Sequence, residues 1–370
     1  MTKEISVGKV VQLLESWVPK KLAADWDNVG LQIGSLSHPV KQILVSLDVT
    51  EEVVDEAIEI GANLIISHHP LLFKSLKQIN YQDPLGKLIQ KIIKHDLTVY
   101  AAHTNLDVVI GGVNDLLASK LKLENTKILI PEVEEPFYKL FVYVPETHLD
   151  VVDQAITKIG VGQLGDYKDC SFRLKGTGTF TPMDNANPYI GSENKRSFVD
   201  EIKLEYLLPS HLRNQAIDAI KKAHPYEEPV FDIIKLENDG IKYGLGRIGT
   251  LKTEKTLRQL SAELKEIFQL EGLRVTGSLD RIVKKVAVLG GSGEKYYHHA
   301  KRLGADVYIT GDVSFHFAQD ALAQGLSIID PGHHIEVIMV EAVSEYLREQ
   351  LDSAIKVNES KISTEPFQFI

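Results

Sequence analysis

The chain has 370 residues, a formal net charge of −10 and one cysteine, Cys170. That length allows two or three domains with a large core, and the lone cysteine excludes both an intrachain disulfide and a thiolate zinc cluster within one chain. No apolar run is long enough to span a bilayer, the acidic balance weighs against broad nucleic-acid binding, and the charged opening MTKEISVGKVVQLLESWVPKK is no signal peptide, so a cytoplasmic protein is expected.

The opening segment places Val7, Val10, Val11, Leu14 and Trp17 on one helical face. DWDNVGL (25–31) follows, and reads as a capped loop whose Trp26 fills the core. From Ile43 the pattern is strand, turn, helix, Gly-Ala, strand, and the second strand runs into LIISHHPLLF (64–73). Successive strand side chains point to opposite faces, so His68 and His69 cannot share one core. The strand is expected to stop near Ser67, with Pro70 opposing its continuation and both imidazoles turned toward something they bind. LTVYAAHTNLD (97–107) is a further strand that ends in His103, Asn105 and Asp107.

The pattern changes over 132–240. FYKLFVYVP (137–145) is a strand, HLDVVDQAITKIG (148–160) a helix, and 171–180 with 197–209 a strand pair. Residues 210–225 form a helix opened by a Ser cap, and 229–237 a last strand. The order β-α-β-β-α-β is that of a ferredoxin-like unit, large enough to be an inserted domain. HPYEEP (224–229) offers His224, Glu227 and Glu228 as a ligand cluster, but Pro225 ending the helix, with a turn after it, is the favoured reading. GLGRIG (244–249) matches a dinucleotide fingerprint without the required helix behind it, and is better read as a glycine-rich return crossing. GGSGE (290–294) lies between a strand and a helix; it is either a tight turn or a cradle of backbone N–H groups for a phosphate or carboxylate.

Residues 286–312 repeat 43–69 without a gap, at an offset of 243 (304 − 61). LSIIDPGHHIE (326–336) then falls over 97–107 at an offset of 229 (336 − 107), which pairs Asp107 with Glu336. The fold class that follows is α/β. Two similar halves, 1–131 and 241–370, pack about a pseudo-two-fold axis and are interrupted by the α+β insert 132–240.

Open α/β sheets place their sites at the carboxyl ends of strands. There this chain puts His68, His69, His103, Asn105, Asp107, Asp312, His316, Asp330, His333, His334 and Glu336. Imidazoles and carboxylates without thiolates suit zinc, manganese or iron, and two such clusters suggest two metals sharing a site.

DWDNVGLQIG, ISHHPLLF, AAHTNLD, GGSGE, YITGDVSFH and DPGHHIE, in this order, resemble the type 2 GTP cyclohydrolase I family, also described as Ngg-interacting-factor-three-like. The likeness covers nearly the whole chain outside the insert. The insert, with GTGTFTP and HPYEEP, looks like the PII-like (CutA-like) domain of the longer bacterial members. The resemblance implies a toroidal homohexamer with two divalent ions per chain, zinc foremost and manganese or iron as alternatives. It implies His68, His69, Asp107, His333 and Glu336 as ligands, with Asp107 as the bridging carboxylate. Glu336 lies three residues after His333 and two after His334; a helical turn brings i and i+3 together, which favours His333. His103, His316 and Asp312 are then substrate-handling or supporting residues. The implied reaction is hydrolytic opening of the GTP purine ring, with His103 or His316 moving protons. The competing reading is a regulatory ring that binds a protein or nucleic acid, its insert sensing a small molecule.

Overall fold

The computed structural model describes residues 4–351, 353 and 355–370. It divides into two compact units, one formed by residues up to Glu132 together with Tyr243–Ile370, the other by Val133–Lys242.

The first unit is built on two sheets. In one, Gln42–Ser46, Leu64–Ser67 and Thr98–Ala101 run parallel, and Gly30–Ile33 pairs antiparallel with Thr98–Ala101. Lys356–Glu359 closes the other edge, parallel to Gln42–Ser46. Leu64–Ser67 and Thr98–Ala101 are buried at every position, which is why they read as unbroken runs rather than alternating ones. The helix Glu51–Ile60 that joins the first two is capped by the Thr50 side chain and stopped by Gly61 at φ +76°.

The second sheet repeats the core of this plan. Ile282–Ser292, Val307–Gly311 and Ser327–Asp330 run parallel, and Arg274–Thr276 pairs antiparallel with the last of them. The outer neighbour differs, because Ile241–Thr256 lies antiparallel to Ile282–Ser292 and is followed by Glu124–Glu135. GLGRIG sits inside that long strand and starts no helix. A Cβ on Gly244 would meet the Ile130 carbonyl oxygen at 2.1 Å, so this glycine serves close strand packing rather than a nucleotide.

Helix Val7–Trp17 buries Val7, Val10, Val11 and Leu14, as its spacing predicts. Trp17 donates to the Ile110 carbonyl at 3.0 Å and its ring lies 4.9 Å from that of Tyr346. Trp26 departs from expectation. It is 63% exposed and does not fill the core.

Val133–Lys242 forms a four-stranded antiparallel sheet in the order Phe172–Phe180, Ser197–Pro209, Phe137–Pro145, Phe231–Lys235. Helices Leu149–Thr157 and Arg213–Ala223 pack on each other. Leu140, Val142 and Val144, alternate residues of one strand, share a core with Val152, Ile156 and Ile220 of the helices. Ser210 opens a 3-10 turn and makes no side-chain cap. Among the described residues no helix is long and apolar enough to cross a membrane.

Candidate metal centre

The strand Leu64–Ser67 ends where the sequence suggests, and the chain turns so that His68 and His69 both face one cluster. His68 is completely buried, and its Nδ1 lies 2.9 Å from the Ala102 carbonyl oxygen. A carbonyl only accepts, so Nδ1 carries the proton and Nε2 keeps its lone pair. The same device recurs with carboxylates. His69 Nδ1 is 2.7 Å from Asp48 Oδ1, His103 Nδ1 is 2.9 Å from Asp27 Oδ1, and His333 Nδ1 is 2.6 Å from Asp312 Oδ2. Each ring is therefore held from behind, which is the arrangement that orients ligating histidines.

Three overlapping groups of donor atoms each lie within 4.8 Å of one another: His68, His69 and His103; His69, His333 and Glu336; His68, Asp107 and Glu336. Glu336 Oε2 stands 3.1 Å from His333 Nε2, 3.2 Å from His69 Nε2 and 3.6 Å from His68 Nε2. Glu336 is thus the carboxylate present in two of the three groups, whereas Asp107 is present in one, its Oδ1 3.5 Å from His68 Nε2. The repeat pairs these two acids by sequence, but it does not say which stands centrally. His333 enters the cluster, whereas His334 joins none of the three groups. Asp312 supports His333. His316 is exposed on helix Phe315–Ala323 beside Phe315, and no group includes it.

The donors carry the marks of a cation site. His68 Nε2 and Asp107 Oδ1 are buried without any hydrogen-bond partner, and such orphans are costly in a protein interior. The Nε2 atoms of His69 and His333 approach to 3.2 Å. Two lone pairs at that distance repel, and so do two protons, so in the absence of a metal one nitrogen donates to the other. Burial opposes charge on His69, yet hydrogen bonds to Asp48 and Glu336 raise its pKa to about 10. The Glu336 hydrogen bond, against burial, lifts His333 to about 9. Burial and then the Glu336 charge push the Asp107 carboxyl well up, while burial pushes His68 down. Glu336 goes the other way. Burial would raise it, but the imidazoles of His333, His68 and His69 hold it well below its ordinary range. A divalent ion among these atoms would satisfy the orphans and separate the facing nitrogens, so the residues fit a metal.

Backbone chemistry makes the room. A Cβ on Gly291, at φ +61°, would lie 2.6 Å from Glu336 Oε1, and one on Gly290 would lie 3.0 Å away. The Glu336 carboxylate thus packs against these glycines, while the Gly290 and Gly293 N–H groups donate to Asn114 and Thr310. Asn114 donates to the Asp107 carbonyl oxygen at 2.9 Å and accepts from Gly290 N–H at 3.0 Å, tying the acid-bearing segment to this glycine turn.

Three residues of the site escape the sequence reading: Asp27, Asp48 and Asn114. Asp27 also accepts from Thr104, at N–H and hydroxyl. Burial works against its charge, but hydrogen bonds from His103 and Thr104 keep its pKa low. Asp48, which also accepts from the Thr364 hydroxyl, follows the strand Gln42–Ser46. An acid just past a strand neighbouring the histidine strand is the signal that would find it. A cavity of about 530 Å³ opens beside the cluster, with His69, Asp312, His333, His334, Glu365 and Phe367 in its walls. Trp26 and Phe73 stand exposed near His103, at ring separations of 6.2 and 6.4 Å.

Fold and site together define an α/β protein with a histidine–carboxylate cluster suited to metal, built where parallel strands of two mixed sheets end. The chain belongs to the Duf34/NIF3 (NGG1p interacting factor 3) family, whose description matches residues 5–366. It is 48% identical over 364 residues to the GTP cyclohydrolase 1 type 2 homolog of Halalkalibacterium halodurans, covering 98% of both chains. It is 46% identical over 373 residues to that of Bacillus subtilis, covering all of both. Among solved structures it resembles the Bacillus cereus protein related to NIF3, with a TM-score of 0.93 and 46% identity across the full length of both chains.

Proposed function

We propose that this protein is a metal-dependent hydrolase acting on a nucleotide-like substrate at a pair of divalent ions. The observation that carries the reading is the convergence of Nε2 atoms from His68, His69 and His333 on Glu336, each ring fixed through Nδ1. Asp107 and His68 would hold one ion, His69 and His333 the other, with Glu336 shared between them. Five protein ligands leave positions open, as catalytic rather than structural sites do. Divalent ions, when bound, supply Lewis-acid activation of a water and of a substrate oxygen. Zinc suits the donors best, and manganese or iron would also be accepted.

His103 is the proton carrier in this reading. Its Nδ1 is engaged by Asp27, which leaves Nε2 for exchange beside the cluster. Trp26 and Phe73 offer exposed aromatic faces at the same place, where a planar base could stack. The curated relatives named above point to GTP itself. The two sheets would be related by a pseudo-two-fold axis, Val133–Lys242 would be a PII-like accessory domain, and the family resemblance supports a toroidal homohexamer.

The test is turnover of GTP and other nucleotides by zinc- or manganese-loaded protein, with products identified by mass. A hydrolysed product whose formation is lost in His103→Gln, with metal content unchanged, is expected. No turnover of any nucleotide by protein shown to hold two ions would overturn the reading.

A further inference from the structure

Val133–Lys242 contains a cavity of about 450 Å³ that the metal chemistry does not use. It is built by the turn HPYEEP, which follows helix Arg213–Ala223, and by the loop after strand Phe172–Phe180. The two are fastened together. Asn187 N–H donates to Glu227 at 3.1 Å, and Tyr226 N–H donates to His224 Nδ1, folding the turn back on the helix end.

Three rings form a connected wall. Phe180 lies 6.0 Å and Tyr189 6.3 Å from Tyr226, and His148 contacts Tyr189 edge-on at 5.3 Å. Tyr226 donates its hydroxyl to Glu201 Oε1 at 2.9 Å, which fixes both ring and carboxylate. A Cβ on Gly178 would strike Glu201 Oε2 at 2.2 Å, so the glycine is what lets that carboxylate stand in the wall. Glu227, Glu228 and Asp232 add three more acids. Among the described residues that line the cavity there is no lysine, arginine or histidine. The walls thus combine π faces, which attract cations, with carboxylates that have no cation beside them in the lining.

The geometry points to a binding site for a small organic cation, an amine or quaternary ammonium carrying an apolar body, in the cavity between HPYEEP and the 180–190 loop. The cation would lie against Tyr189, Tyr226 and Phe180, near the carboxylate of Glu201. The apolar body would lie against Pro182, Ile190 and Val230. A metal ion fits less well, because most of this wall is carbon and ring face.

The test is isothermal titration of the full chain with benzyltrimethylammonium, benzyl alcohol and benzoate at one ionic strength. The expected result is one saturable site per chain, with the ammonium bound about tenfold tighter than the alcohol, as ring faces and a carboxylate favour the charged probe. Benzoate should bind more weakly still. Tyr189 is 52% exposed, so Tyr189→Ala should fold, and it should weaken the ammonium about fivefold. Glu201→Gln keeps an acceptor for Tyr226 and should weaken the ammonium while sparing the alcohol. Equal affinity for alcohol and ammonium, tighter benzoate, no saturable binding of the ammonium, or unchanged ammonium affinity in both variants would overturn the assignment. So would full displacement of the ammonium by equimolar calcium, which would make the acids a metal site.

Discussion

Carboxylates dominate two regions of this molecule, and they are treated in opposite ways. Around Glu336 the rings within ligand reach are imidazoles, Glu336 and His68 are buried, and Asp27, Asp48 and Asp312 are each matched to one histidine. Around Glu201 the rings that line the cavity are phenyl and phenol, the remaining acids are exposed, and among the described residues no basic side chain lines it. The first region arranges its own charges so tightly that a cation must replace protons to enter. The second holds a standing negative charge in an open, ring-walled space. One acid type thus stands in one region among donors that could hold a metal and in the other beside ring faces, and the partner side chains make the difference.

The comparison breaks first at Glu336. Glu336→Ala should weaken both ions by more than about 100-fold, beyond what loss of an outer partner costs, and elemental analysis after dialysis would read it. Asp107→Asn should weaken one ion and leave the other. If Asp107→Asn removes both while Glu336→Ala removes one, the central carboxylate has been misplaced. Next in size is Asp48→Ala. It leaves all ligands present but removes the acceptor that holds His69 Nδ1, and should cost metal affinity about 10–100-fold. A chelator competition curve superimposable on the parent's would deny Asp48 its orienting role.

The pH response is smaller. In metal-free protein the His69 pKa stands near 10 and that of His333 near 9, both above the ordinary value of 6.5. The pair therefore favours a bound proton at pH 7, which must be shed for both nitrogens to bind metal. Zinc uptake at pH 7 should release protons, and apparent affinity should climb between pH 7 and 9, by up to about tenfold per unit for each proton released. The same shifts stabilise the metal-free fold fully below the unfolded value, and that stability is lost as pH rises through 9 and 10. Flat affinity over that window would show that the protons are absent.

The smallest effect tests the separateness of the two regions. Replacing 133–242 by a short Gly/Ser linker should leave metal content unchanged, because every donor atom of the cluster lies outside that span. Loss of metal in a soluble deletion product would show that the unit supports the cluster.

Much of this site is legible in the sequence, and for physical reasons. A run such as LIIS ending in two histidines has one economical explanation, and the matching run before DPGHHIE strengthens it. What failed were inferences about who stands behind whom. Trp26 read as core because large aromatics are usually buried, yet it sits outside while its neighbour Asp27 is the buried residue, fixed on His103 and Thr104. The spacing of HHIE narrows the ligand to the i+3 pair, but the central position of Glu336 depends on Gly290 and Gly291, which approach from a distant strand end. His316 lies just beyond a strand end, like the residues of the cluster, but on a helix that leaves its side chain in solvent.

The edge strand Lys356–Glu359 has a consequence in time. It pairs with Gln42–Ser46, and Ser360 and Lys361 then bond to Glu56, so the first sheet is finished by residues synthesised long after its other strands. The cluster follows the same schedule, since His68 and His69 wait for His333 and Glu336. At about 5–20 residues per second, the ribosome needs tens of seconds to travel between them. During that interval the nascent chain holds only part of the cluster. Assembly of the full donor set thus waits on the second half of the chain, and a truncated product lacking Glu336 would lack the carboxylate that two of the donor groups share.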